Sequence, residues 1–163
     1  MATARAAALS AEKPKSHRAI LWGGLIAGTM DLTAACVQSG LRGMSPIRLF
    51  QAVASGLIGG AAATGGYATA ALGVLLHFTI ATGATAAYYL ASRRLKWLSH
   101  YAVLSGALYG VAVFYFMRLV VLPLSAITFK PSGAPTVVLT GILIHIFCVG
   151  LPIALVVRKF SKD

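Results

Sequence analysis

Long apolar runs, separated by short basic or glycine- and proline-containing breaks, organise this chain. They cover Ala19 to Gln38, Tyr67 to Ala91, Leu98 to Leu122 and Thr136 to Val157, with a weaker Gly- and Ala-rich run from Leu49 to Gly66. A helix needs roughly 20 predominantly apolar residues to cross a bilayer core. Hydrocarbon offers backbone groups no water to bond, so runs of this kind must be helical. The pattern predicts an all-α integral membrane four-helix bundle with spans over about 19–39, 67–92, 98–122 and 136–157. These form a single transmembrane domain over 19–158, flanked by a flexible basic tail at 1–18 and a short tail at 159–163. The weak segment follows Ser45-Pro46, and Pro46 suits a first helical turn, while Gly65-Gly66 suits a break. It is predicted to be an additional interfacial or re-entrant helix between spans 1 and 2.

Composition supports this organisation. Of 163 residues, 58% are apolar and 10% charged, which excludes an ordinary soluble domain and a disordered chain. Lys and Arg number 14 against 3 acids, a net charge of +11. In a soluble protein that excess would suggest nucleic acid, but here the cations flank apolar runs and report topology. With four spans, Arg18, Arg93, Arg94, Lys96, Arg158 and Lys159 share one side, and Arg42, Arg48 and Lys130 the other. The positive-inside rule then places both termini in the cytoplasm. A fifth span would move two basic clusters outside. Asp31 interrupts the first run, and that run is longer than a signal-peptide core, so it is read as a retained span. Cys36 and Cys148 fall at depths roughly 15 Å apart and are read as small apolar fillers. Trp22, Trp97, Tyr88, Tyr89 and Tyr101 are expected at the inner interface as aromatic anchors.

Lipid supplies no hydrophobic drive for helices to associate, so close packing through small residues must do so. Gly24, Gly28, Gly73, Gly106, Gly110 and Gly141 are the expected packing positions, with Gly83 and Ala84 also assigned to the second span's face. The same faces carry the polar residues. At 100° per residue, Asp31 shares a face with Gly24 and Gly28, His77 with Gly73, and His145 with Gly141. Depth counting puts Asp31, His77 and His145 within about one helical turn of a common plane. Arg118 lies near the outer end of the third span, able to reach inward to Asp31 or outward to the interface.

An ionisable group inside a bilayer is costly and suggests function. Alternatives stay open for each. Asp31 and Arg118 can pair and set helix register, or Asp31 can be neutral. Either His can be a structural hydrogen-bond donor. Sharper readings are a polar path through Asp31, His77 and His145, or a bis-histidine haem b between the second and fourth helices. No propionate anchor favours haem, so no cofactor is expected. No local spacing supports a metal site. Pro152 should kink the last helix by removing the hydrogen bond to the Cys148 carbonyl, one turn from His145. His17 and His100 look interfacial, and Ser55, Ser105 and Ser125 have no triad around them. With no phosphate-binding loop or protease motif present, the chain reads as non-enzymatic.

Several strings carry a resemblance: Ser45-Pro46-Ile47-Arg48, Gln51 to Gly59, Gly65-Gly66, Gly73 to Phe78, Tyr109-Gly110, Val121 to Ser125, and His145 with Val149-Gly150-Leu151-Pro152. Over about Ala19 to Val157 the chain resembles a family of short, uncharacterised bacterial multi-span inner-membrane proteins. The resemblance implies a bacterial inner-membrane protein and carries over no catalytic residues. Arg118 stands where the resemblance implies a neutral polar residue, which weakens an Asp31–Arg118 pair as a family feature. Two functions are expected as alternatives. The first is a packing or assembly component that associates with itself or with an unidentified membrane partner. The second is a small transporter or channel built on the Asp/His plane. The lipid bilayer is a partner in both, and nucleic acid in neither.

Overall fold

Four helices are long and apolar enough to cross a membrane: His17–Gly40, Gly66–Arg94, Ala102–Leu124 and Pro135–Phe160. The structure, a computed structural model, describes residues 2–130 and 132–161, with side-chain surroundings for 17–130 and 132–160. In chain order the helices are α1 (Ala2–Gly40), α2 (Pro46–Ile58), α3 (Gly66–Arg94), the short α4 (Lys96–His100), α5 (Ala102–Leu124) and α6 (Pro135–Phe160). No strand occurs among the described residues. The protein is an all-α helical bundle. Helix α1 runs on through the basic segment read from the sequence as a tail. The surroundings of residues 1–16 and of the C-terminal 161–163 lie outside the described residues.

The expected extra helix is α2. Ser45 caps it by accepting from the Arg48 N–H at 3.4 Å, and Pro46 opens it. Its 13 residues span about 20 Å, too short to cross a bilayer. Gly59 (φ 62°) and Gly66 (φ 58°) then turn the chain back, using backbone conformations that disfavour a side chain. The Phe50 backbone lies directly against Gly73 of α3. Gln51 Nε2 donates to the Gly66 carbonyl at 3.0 Å, and the Ala126 N–H donates to the Gly56 carbonyl at 2.9 Å. So α2 bridges the start of α3 and the loop after α5.

At the other end of the bundle lies a buried core. Tyr88, Ile153 and Val157 are fully buried there, packed with Ala19, Ala102 and Ala154. The Tyr88 hydroxyl sits 2.7 Å from Ser105 Oγ, which bonds the Leu98 carbonyl at 2.7 Å, tying α3, α4 and α5 together. Tyr88 and Tyr89 are therefore core residues and not interfacial anchors, because a tyrosine hydroxyl with internal partners can be buried. Trp22, Trp97 and Tyr101 do face outward. Arg18 stacks over the Phe160 ring at 5.8 Å, joining the ends of α1 and α6.

Small residues make the contacts between helices. A Cβ on Gly24 or Gly28 would strike Thr82 or the Phe78 ring of α3, and one on Gly141 would strike the Phe114 ring. Between α5 and α6 the approach is backbone to backbone. A Cβ on Gly110 would meet the His145 carbonyl, and one on Gly150 would meet the Gly106 carbonyl and the Gly110 backbone. Gly83 differs from its expected packing role. It is exposed, and beyond its own helix backbone and chain neighbours no described atom lies within 4 Å of where its Cβ would stand.

Helices α5 and α6 share an irregularity. Each contains a π-helical turn, Met117–Val121 and His145–Gly150, and each turn stops just before a Leu-Pro pair, Leu122-Pro123 and Leu151-Pro152. In both, the leucine N–H bonds the carbonyl five residues back, Met117 and Ile146 respectively. Proline cannot donate, and its ring presses on the carbonyl four residues earlier, so a widened turn relieves both problems without breaking the helix. The disturbance expected at Pro152 takes this form.

Gly150→Leu should lower the thermal stability of the detergent-solubilised protein by about 2 kcal/mol or more, through overpacking at the α5–α6 crossing. Gly83→Ala should be neutral or stabilising by up to about 1 kcal/mol. Equal losses in a thermal-unfolding comparison would contradict this packing.

Candidate functional site

The glycine faces that draw the helices together also position the ionisable side chains. On α1, Asp31 follows Gly28 by one turn, and on α3, His77 follows Gly73 by one turn. Where α1 and α3 meet, His77 Nε2 donates to the Gly28 carbonyl at 2.9 Å. On α6, His145 Nδ1 donates to the Gly141 carbonyl of its own helix at 2.9 Å, and its ring stands edge-on to Phe114 at 5.4 Å. A carbonyl only accepts, so the nitrogen facing it carries the proton. In their neutral forms, His77 is the Nε2–H tautomer and His145 the Nδ1–H tautomer. His77 Nδ1 and His145 Nε2 are left as acceptors.

All three residues line one cavity of about 490 Å³. Its remaining wall is mainly apolar. Helix α2 contributes Leu49, Val53 and Leu57, α5 contributes Val113 and Met117, and the following loop contributes Ser125 and Phe129. The Ser125 hydroxyl is spent on the Leu122 carbonyl at 2.7 Å. The Asp31 carboxylate is half-buried and has no hydrogen-bond or ion-pair partner among the described residues. The three ionisable residues do not come together as a metal-ligating group among the described residues. Both π turns reach this wall, through Met117 and Val121 of α5 and through His145 and Val149 of α6.

Arg118 does not join them. Its guanidinium donates to the Ser132 carbonyl at 2.7 Å, at the end of the bundle. The long side chain reaches the polar loop instead of carrying its charge inward, so it does not pair with Asp31. Cys36 and Cys148 are both free. Pro152 is buried beyond the π turn and does not line the cavity.

A second, more open cleft of about 510 Å³ lies on the other side of α2, bordered by Arg42, Arg48 and Gln51. Ala52 and Phe129 border both spaces and form the partition between them. Arg48 is held in place by the Ala63 carbonyl at 3.0 Å and Gln51 Oε1 at 3.4 Å.

Counting depth along the spans did not identify the α2 and loop residues that close the cavity. The available signal was the spacing of Leu49, Phe50, Val53 and Leu57 at three- and four-residue intervals, which marks one apolar helix face. The repeated Leu-Pro pair was the corresponding signal for the two π turns.

The tautomers can be measured. In ¹⁵N-histidine-labelled protein at neutral pH, His77 should show the Nε2–H pattern and His145 the Nδ1–H pattern, each assigned by a single His→Gln substitution. The same tautomer at both positions would overturn the hydrogen bonds described above.

No protein-family model matches this chain, and neither a curated protein nor a solved structure matches it.

Proposed function

We propose that the protein is a small transporter of the bacterial inner membrane, holding its solute in the cavity bounded by α1, α2, α3, α5 and α6. The observation that carries this reading is the convergence of Asp31, His77 and His145, from three different helices, on one mainly apolar cavity. Ionisable groups at membrane depth are costly to retain, and those lining a cavity are suited to binding and proton exchange. A volume of about 490 Å³ falls within the range of small-molecule sites.

A role as a packing component receives less support. Its basis was the set of glycine faces, and Gly24, Gly28, Gly73, Gly106, Gly110 and Gly141 all make their close contacts within the chain. They are not left over for a partner. A bis-histidine haem is disfavoured as well, since His77 Nε2 is already committed to the Gly28 carbonyl.

The proposed orientation has both termini in the cytoplasm. Arg18, Arg93, Arg94, Lys96 and Arg158 gather at one end of the antiparallel helices, and Arg42, Arg48 and Lys130 at the other. The richer end faces inward by the positive-inside rule. In a background without Cys36 and Cys148, single cysteines at Lys130 and Lys159 should react with an impermeant thiol reagent from opposite sides of oriented membranes. Labelling from the same side would refute the orientation.

Transport is tested in proteoliposomes under an imposed pH gradient, using three fluorophores of matched size, one cationic, one neutral and one anionic. At least one should enter about five-fold faster than into protein-free vesicles, a difference of roughly 1 kcal/mol in barrier. Val53→Trp, which fills the cavity from α2, should abolish the excess, and so should Asp31→Asn. If no probe is accelerated, or if acceleration survives both substitutions in monodisperse protein, the reading fails.

A further inference from the structure

We infer that the cavity selects a lipophilic organic ammonium, an apolar body bearing a cationic group that donates hydrogen bonds. This inference rests on the transporter reading above and adds the chemical class of the solute. The argument is a count of donors and acceptors. Asp31 presents a carboxylate, which only accepts when ionised. His77 and His145 have each spent their N–H on a backbone carbonyl, leaving acceptors at Nδ1 and Nε2. Ser125 has likewise spent its proton on the Leu122 carbonyl. Arg118, which the amino-acid order offered as a partner for Asp31, is turned away to the Ser132 carbonyl. Among the described residues, the polar side chains lining the cavity therefore offer acceptors, with a negative charge when Asp31 is ionised, and no side-chain donor to answer them.

A half-buried carboxylate with no hydrogen-bond partner among the described residues is answered by a ligand that supplies both charge and donors. An ammonium has N–H donors for carboxylate and imidazole acceptors alike. Carboxylate and phosphate ligands would meet no donor there. The three side chains are not grouped to ligate a bare metal ion. The mainly apolar remainder of the wall calls for a hydrophobic body.

The route of entry agrees with this chemistry. Arg42 and Arg48 border the outer cleft beyond the Ala52–Phe129 partition, so a positive rim opposes inorganic cations arriving by that path. Leu57 and Ile80 line the cavity and are 59% and 40% exposed. A lateral route past these residues would open to the acyl chains, where a lipophilic amine already partitions.

The test uses three probes with one fluorophore: dansyl-1,6-diaminohexane, its neutral N-acetyl derivative, and the anion 6-(dansylamino)hexanoate. Binding to the full chain in lipid nanodiscs is measured by fluorescence anisotropy against empty nanodiscs. The ammonium should bind at least about ten-fold more tightly than the neutral probe, and the anion most weakly. Asp31→Asn should reduce that preference to about two-fold or less, while Asp31→Glu retains it. Equal binding of all three probes, or preference for the anion, overturns the ammonium assignment. If Val53→Trp still removes that binding, the transporter reading survives. If no probe binds above empty nanodiscs, both fall. The probe series on the unsubstituted protein decides the matter even if a variant fails to fold.

Discussion

Gly150 of α6 sits so close to α5 that one added carbon would strike the Gly106 carbonyl and the Gly110 backbone. The rest of the arrangement depends on that contact. Between lipid-solvated helices, association rests on van der Waals packing and hydrogen bonds, and both need backbones at close range. The same crossing brings the first residue of the α6 π turn against Gly110, since a Cβ there would meet the His145 carbonyl. It therefore sets where His145 stands relative to α1 and α3. A second set of glycine contacts, Gly24 and Gly28 against α3, aligns the Gly28 carbonyl with His77. Helix α1 packs along both α3 and α6, α5 packs along α6, and these four helices with α2 line the cavity.

The polar groups of that cavity obey the low dielectric around them. A neutral imidazole has one donor and one acceptor, and a backbone carbonyl already bonded within its helix retains a second lone pair. Each His uses that lone pair to place its proton, which removes an unsatisfied N–H from the apolar interior. What remains exposed to the cavity is chosen by this economy of donors. The two π turns add to it by carrying α5 and α6 past Pro123 and Pro152 without ending either helix. Irregular helix turns at membrane depth are tolerated where protein covers them, and here they border the cavity.

The span count, the extra helix after Ser45-Pro46 and the glycine-bearing faces were legible in the amino-acid order, because each follows from local rules. A run of apolar residues must be helical in hydrocarbon, proline opens a helix readily, and a three-residue gap between glycines puts them on one face. Counting the constant rise per residue put Asp31, His77 and His145 near one plane, and all three line one cavity. Gly83 shows the limit of face counting, as it belongs to a helix rich in small residues but faces away from every neighbour. Tyr88 shows another. Its ring looked like an interfacial anchor until the Ser105 and Leu98 partners, 17 and 10 residues along the chain, made burial affordable.

The sequence by itself determined that this chain forms four apolar helices with a short fifth segment, and that Asp31, His77 and His145 each follow a glycine by about one turn. Periodicity and hydropathy are properties of neighbours along the chain. Only the tertiary structure decided that those side chains share a cavity, that Arg118 turns to Ser132, and that α2 with the loop at Phe129 closes the space. Those outcomes depend on the rotation of each helix about its own axis and on which carbonyl lies within reach of a given donor. Such distances are set across helices by packing, and a linear pattern carries no record of them.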